Sequence, residues 1–245
     1  MRFDDIDLLS LDAGNTVIFL DHARLETIAR AAGHDIHSKS LVASEGFAKR
    51  ALSGNSSELV DIPWSHVEAP GARGWGQMMA TMFTHAGVGK EALATLLDRL
   101  WASHVEWNLY SVVPEGFHEA MTKVREAGVK VAIVSNSEGM LESLFDRLGI
   151  LDCFDTVVDS AKVGVEKPDA RIFEIACERT ATIPSRSLHL GDTFATDIVG
   201  ARNAGMRTAL IDPHGHYAGL LADVEREPGV IPVSEEILRV RSRTL

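Results

Sequence analysis

Ser187-Leu188-His189-Leu190-Gly191-Asp192-Thr193-Phe194-Ala195-Thr196-Asp197 reads as a short buried strand that stops at a glycine and delivers two carboxylates just beyond it. Far upstream, an apolar stretch ending at Leu11 is followed by Asp12-Ala13-Gly14-Asn15-Thr16-Val17, which puts Asp12 in the same kind of place. A carboxylate at the end of a buried strand is costly unless a cation or a reaction uses it. Two strand ends so distant in sequence converge only when the strands are neighbours in one parallel sheet. That requirement sets what the rest of the chain must supply.

It supplies more short apolar runs after residue 110: 129–134 ending at Ser135-Asn136, 154–158 ending at Asp159-Ser160, and 208–211 ending at Asp212-Pro213. Residues 6–11 add one further strand. Apolar spacing of three and four predicts helices over 117–127, 140–148, 170–178 and 198–204. Gly128, Gly149 and Gly205 stand where a left-handed helix end wants glycine. This alternation predicts an α/β fold on a parallel sheet. Residues 21–110 have a different texture, with helical spacing over 22–32, 41–52, 77–85 and 91–106 and a Gly-, Ser-, Pro- and Trp-rich loop over 53–76. A loop of that length is ordinarily functional or disordered, and its two tryptophans, Trp64 and Trp75, argue against disorder. The expected organisation is an α-helical cap domain over 21–110 inserted into a core domain of residues 1–20 and 111–245.

Composition limits the function. The 245 residues suffice for a core with a smaller insert. A net charge of −11 argues against nucleic acid or an anionic membrane as partner, so an anionic substrate needs a local positive site. Cys153 and Cys177 lie in apolar segments and read as reduced core residues of a cytoplasmic protein. The acidic start carries no signal-peptide core, and no apolar run approaches bilayer-spanning length. The sequon Asn55-Ser56-Ser57 is therefore expected to be irrelevant. A homodimer is compatible with the sequence but not fixed by it.

In an open parallel sheet, ligands bind beyond the carboxyl ends of the strands. Asp12, Ser135, Asn136 and Asp192 are expected there, with Asp197 one turn into the next helix. Lys167 joins them from Gly164-Val165-Glu166-Lys167-Pro168-Asp169, ahead of a helix that Pro168 opens. The carboxylates suit Mg²⁺, which takes one or two of them together with phosphate oxygens and water. Hydroxyl, amide and ammonium groups suit the remaining phosphate oxygens, and a carboxylate free to attack phosphorus completes a covalent phosphoryl-transfer site. Ser135 and Asn136 also suit the cap of a helix beginning near Glu138. Asp169 is expected at a helix start, Asp159 in a loop, and His214 and His216 in a solvated loop. Neither Gly71-Ala72-Arg73-Gly74-Trp75-Gly76 nor Gly87-Val88-Gly89-Lys90-Glu91 has the context of a nucleotide-binding loop.

With these residues the chain resembles the haloacid dehalogenase (HAD) superfamily, in the subfamily I branch with a helical C1 cap. The elements that match, in order, are Asp12 with Thr16, Ser135, Lys167, and Gly191-Asp192 with Asp197; Pro114-Glu115-Gly116 is also similar to the family. The resemblance implies a Rossmann-like core and a hydrolase acting on a small phosphorylated substrate through an aspartyl-phosphate. It implies Asp12 as nucleophile and Mg²⁺ ligand, the Gly14 carbonyl and Asp192 as further ligands, and Asp197 ligating the ion or orienting its water. Ser135 and Lys167 would hold the transferring group, with Asn136 and Thr16 as auxiliary contacts.

The departure is Gly14, where phosphatases of the family carry the Asp that protonates the leaving oxygen and then activates water. Phosphonatase- or dehalogenase-like hydrolysis, and a catalytically weak ligand-binding protein, are therefore the alternatives. The dehalogenase alternative is opposed by the surviving metal and phosphate set. The phosphonatase alternative needs an imine-forming cap lysine, for which only Lys39, Lys49 and Lys90 are on offer. His22, His66, Arg73 and Trp75 are candidates to face the active site from the cap or its hinge, with Arg73 or His66 replacing the missing acid or reading a substrate anion.

Overall fold

The computed structural model describes residues 3, 5–54, 56–69, 71–217 and 223–242, so Asn55 of the sequon and part of the acidic start lie outside the described residues. In chain order the elements are β1 (Leu8–Leu11), β2 (Phe19–Leu20), α1 (His22–Ala31), α2 (Ser38–Gly54), α3 (Ala72–His85) and α4 (Lys90–Glu106). They continue with β3 (Tyr110–Val112), α5 (Phe117–Glu126), β4 (Lys130–Ser135), α6 (Leu141–Arg147), β5 (Thr156–Asp159), α7 (Ser160–Val163) and α8 (Ala170–Thr180). The last are β6 (Ser187–Gly191), α9 (Val199–Asn203), β7 (Arg207–Ile211), β8 (Arg226–Glu227) and α10 (Val230–Arg241). The chain divides into two compact units, residues 1–19 with 113–245 and residues 20–112. Among the described residues no helix is long and apolar enough to cross a membrane.

The first unit is an α/β core. Its sheet runs β5-β4-β1-β6-β7-β8, and every neighbouring pair is parallel. Central parallel strands are buried on both faces and so read as nearly continuous apolar runs; all four residues of β1 are buried. Leu8 faces Lys130 and Ser187, and Leu11 faces Ile133 and Leu190. After β1 the chain builds β4 and β5 on one side, then returns to the other side for β6. Strand order therefore reverses between β1 and β6, which is where the carboxyl ends open a crevice. Ile172, Phe173, Ala176 and Cys177 of α8 pack with Ala201 of α9 against Leu8, Ala132, Val134 and Val158. One edge ends in β8, short and charged, which discourages pairing with another chain.

The second unit is helical. Leu25, Leu41, Ala48, Met79, Phe83, Leu93, Leu97 and Leu100 from its four helices share one core. Three tryptophans extend that core, with ring centroids 5.1 Å apart for Trp75–Trp101, 5.7 Å for Trp64–Trp101 and 5.8 Å for Trp64–Trp75. The long loop is thus anchored through Trp64. It is also shorter than expected, because α3 begins at Ala72 and takes in Arg73, Gly74, Trp75 and Gly76. Glycine reads locally as a breaker, but here it serves packing: a Cβ on Gly76 would meet Trp64 Nε1 at 2.8 Å.

Other departures are at the ends and in the tail. The strand expected over 6–11 is regular over Leu8–Leu11, with Asp7 also hydrogen-bonded to Arg186 O and Lys130 N, and β2, β3, β8, α7 and α10 add to the expected elements. Asp159 is the last residue of β5 rather than a loop residue, and its side chain caps α7 through Ala161 N at 3.1 Å. Asp169 does cap α8, accepting from Arg171 N at 2.9 Å. Neither Ser135 nor Asn136 caps α6, which starts later, at Leu141; Asp159 supplies the acceptor for Gly139 N and Leu141 N instead.

Within the helical unit, Glu45 is buried between His22 and Lys49. Its Oε2 lies 2.8 Å from His22 Nε2 and its Oε1 lies 3.2 Å from Lys49 Nζ. Burial alone would raise the carboxyl, but His22 and Lys49 outweigh it and bring it down from 4.5 to about 2. A carboxyl depressed on folding contributes stability that is complete above its unfolded value and lost as pH falls through its folded one. The depression corresponds to about 3 kcal/mol at neutral pH. Glu45→Gln should therefore lower stability at pH 7 by up to about that amount. In urea unfolding from pH 7 to pH 2.5, the gap between native and variant should close below pH 4.5. A gap independent of pH would show that the charge of Glu45 contributes nothing.

Candidate active site

Asp12 follows β1 directly, and its backbone N–H donates to Leu190 O of β6 at 2.8 Å, which locks the two strand ends together. The chain then turns tightly: Val17 N and Ile18 N both donate to Ala13 O at 2.9 Å, and Gly14 bridges to Ile18. Asn15 takes a left-handed φ of 55°, which asparagine tolerates better than most residues. Thr16 is 1% exposed and its Oγ1 has no hydrogen-bond partner among the described residues. A buried hydroxyl left without a partner is uncommon and points to a group yet to bind.

Lys167 arrives between β5 and β6. Asn136, just past β4, holds its backbone at both ends: Asn136 Nδ2 donates to Lys167 O at 3.0 Å, and Lys167 N donates to Asn136 Oδ1 at 2.8 Å. The carboxamide of Asn136 is thereby committed to placing Lys167. Lys167 Nζ then donates to Asp12 Oδ1 at 2.5 Å and to Asp197 Oδ1 at 2.6 Å. Ser135 closes β4, buried and in register with Asp159.

Asp197 is returned toward the strand ends by a π-helical turn over Phe194–Ile198, a wide turn often found at functional sites. Its Oδ2 accepts from Thr193 N at 2.9 Å. Gly191 makes room for it, since a Cβ there would overlap Asp197 Cβ and Cγ and stand 2.6 Å from Oδ2. One carboxylate oxygen from each of Asp12, Asp192 and Asp197 lies within 4.8 Å of the others, and all three residues are buried. A second cluster, His118, Asp152 and Cys153, also meets that spacing, but His118 and Asp152 are exposed and burial pushes the Cys153 thiol up to about 11. The three buried carboxylates are the better cation site.

The electrostatics follow from three carboxylates facing one ammonium. Burial, helped by Asp197 and Asp192, pushes Asp12 up to about 7 against the pull of Lys167. Burial acts the same way on Asp197, but Lys167 and His189 prevail and hold it below the ordinary carboxylate range. Lys167 is held above the ordinary lysine range, because Asp12 and Asp197 outweigh the effect of burial.

The structure thus brings Asp12, Lys167, Asp192 and Asp197 together, with Gly14, Thr16, Ser135 and Asn136 on the adjoining strand ends and turns. Sequence reasoning missed Gly191 as a steric requirement, and Ser10 and His189 behind the carboxylates. The available signal was polarity set among apolar neighbours: Ser10 between Leu9 and Leu11, and His189 between Leu188 and Leu190. In the helical unit, Lys39 and Lys90 are exposed, while Lys49 is buried and held in an ion pair with Glu45 at 3.2 Å. Arg73 lies on α3 and pairs with Glu68 at 2.8 Å. His66 packs against the rings of Trp64 and Trp101.

The family model "Hydrolase: haloacid dehalogenase-like hydrolase" matches residues 6–205. The chain belongs to the haloacid dehalogenase-like hydrolases. Haloacid dehalogenase-like hydrolase domain-containing protein 3 of Mus musculus is 30% identical over 217 residues, covering 83% of this chain and 81% of the relative. Glyceraldehyde 3-phosphate phosphatase of Methanothermobacter thermautotrophicus is 41% identical over 90 residues, covering 36% of this chain and 40% of the relative. Among solved structures, the magnesium-bound HAD-hydrolase YfnB of Bacillus subtilis superposes with a TM-score of 0.63 at 15% identity, covering 95% of this chain and 98% of that one.

Gly191 offers a direct check of this geometry. Gly191→Ala sets a methyl group where the buried Asp197 side chain stands, and should destabilise the protein by about 1–3 kcal/mol. Chemical denaturation measures this; an unchanged midpoint would show that Asp197 is free to step aside.

Proposed function

We propose that this protein is a Mg²⁺-dependent phosphatase of small phosphorylated metabolites that works through an aspartyl-phosphate on Asp12. The observation that carries the reading is the convergence of Asp12, Asp192 and Asp197 beside Lys167 at neighbouring strand ends. One ammonium leaves that carboxylate cluster with surplus negative charge, and an all-oxygen donor set suits a hard dication. The unpartnered Thr16 hydroxyl is a further polar group suited to a phosphate oxygen. Asp12, Asp192, Asp197 and the Gly14 carbonyl would hold Mg²⁺, which supplies positive charge against the phosphoryl oxygens. The phosphatase and magnesium named for two of the relatives support the same chemistry.

Asp12 attacks phosphorus, forming an oxygen–phosphorus bond as the bond to the leaving oxygen breaks. Water then attacks phosphorus, releasing phosphate and restoring Asp12. Lys167 offsets repulsion between Asp12 and the incoming anion and, with Ser135, holds the transferring group. Asn136 contributes by fixing Lys167. The helical unit is assigned the part of a cap that selects the substrate. A cytoplasmic setting fits two buried free cysteines, and a net charge of −11 disfavours nucleic acid as a partner.

Gly14 shapes the substrate range. It offers no proton to the leaving oxygen, and such general acid help is worth about 10²–10⁴-fold. Aryl and acyl phosphates, whose leaving groups need little protonation, are therefore the favoured substrates. Gly14 also carries the second reading, a ligand-binding protein with negligible turnover.

Phosphate release should require Mg²⁺, vanish in Asp12→Asn with the fold intact, and run faster on aryl than on alkyl phosphates. Gly14 is not held at positive φ, so an Asp is conformationally admissible there. Gly14→Asp should raise alkyl phosphate turnover by about 10²–10⁴-fold. Equal native rates on both classes would place another acid at the site. Binding without phosphate release across a broad panel would favour the second reading.

A further inference from the structure

Behind the carboxylate cluster lies a buried polar pair that the proposed chemistry does not use. Ser10 and His189 are both fully buried, on adjacent strands and in register with one another. Ser10 Oγ lies 2.9 Å from His189 Nδ1. On the far side of the ring, His189 Nε2 lies 3.4 Å from Asp197 Oδ1, the same oxygen that accepts from Lys167 Nζ. Phe173 meets the ring edge-to-face at 4.9 Å and 81°, which fixes its plane.

The chemistry of the partners sets the direction of this chain. Burial without exposure, between a phenyl ring and a serine, disfavours the charged form of the imidazole. A neutral imidazole carries one N–H, and the partners decide which nitrogen holds it. An ionised carboxylate only accepts, so the proton belongs on Nε2, aimed at Asp197. Nδ1 is then an acceptor, and the Ser10 hydroxyl must donate to it.

We propose that Ser10 and His189 are positioning residues that orient Asp197. Ser10 selects the Nε2–H tautomer, His189 presents that N–H to Oδ1, and Thr193 N holds Oδ2. With both oxygens engaged, the carboxylate cannot rotate about its own axis, and its remaining lone pairs face a fixed direction. Partners of this kind behind a metal ligand typically change metal affinity by about 10–100-fold when removed. The inference rests on the reading of Asp197 as a cation ligand, but the tautomer it requires does not.

Two measurements test it. Long-range ¹H–¹⁵N correlation spectra of the metal-free protein should show His189 as the Nε2–H tautomer, and Ser10→Ala should admit the Nδ1–H form. An Nδ1–H tautomer in the native protein overturns the proposal whether or not Mg²⁺ binds. Calorimetric titration with Mg²⁺ alone should show His189→Leu binding at least about tenfold more weakly than native. His189→Gln, which restores a donor near the Nε2 position, should recover most of that loss. On p-nitrophenyl phosphate the Leu variant should lose kcat with little change in KM at saturating Mg²⁺. Native-like Mg²⁺ affinity in His189→Leu overturns the proposal; if that variant does not fold, Ser10→Ala with native affinity and tautomer does so. No Mg²⁺ binding by the native protein, with the Nε2–H tautomer present, would sink the metal reading and leave the oriented carboxylate standing.

Discussion

Lys167 buries an ammonium between the carboxylates of Asp12 and Asp197, and much of the core unit is arranged so that this contact can exist. Removing each charge from water costs several kcal/mol, and attraction offsets it only when geometry and further hydrogen bonds are good. Those supports come from the ends of two strands, β4 and β6. Asn136 grips the Lys167 backbone, Thr193 N engages Asp197, and Leu190 O takes the backbone N–H of Asp12. Losing any one partner strands a buried charge, so the ends of β1, β4 and β6 depend on one another more strongly than their ladders alone require.

Close approach is the second condition, and glycine provides it at two places. Gly191 leaves the volume that the Asp197 side chain fills. At Gly200 a Cβ would come within 2.8 Å of Phe173 and 2.9 Å of the Pro168 backbone, so a side chain there would push apart α8, α9 and the segment carrying Lys167. Phe173 in turn abuts His189. Packing and electrostatics are thus coupled through the same few residues, and the apolar layer behind the site sets the reach of its charged groups.

The parallel sheet and its carboxylate ends were legible because buried parallel strands announce themselves as apolar runs ending in residues that dislike burial. Asp12, Lys167, Asp192 and Asp197 could be read as a set because only one topology brings them together. Gly76 shows where such reading fails: a glycine inside a helix looks like a loop residue until Trp64 is seen lying on it. Asn136 looked like a ligand contact or a cap, and only three-dimensional placement reveals that its amide grips a residue 31 positions away. Helix α10 carries helical spacing at Val230, Val233, Ile237 and Val240, and it accommodates Pro232 because that residue stands in the first turn, where backbone N–H groups have no intrahelical partner. Ser10 and His189 were hidden differently, since a lone polar residue in an apolar strand has meaning only once its neighbour across the ladder is known.

β1 is the centre of the sheet, yet its two partners, β4 and β6, are encoded only after the entire helical unit. During synthesis β1 emerges first and waits with both edges open, while residues 20–112 are made and can gather around their own core. Unpaired strand edges in partly made chains invite association with other chains, and pairings between distant segments form slowly. The insertion that separates Asp12 from its companions therefore makes assembly of the sheet a late event. The core unit can close only when the chain has returned, past the helices, to β1.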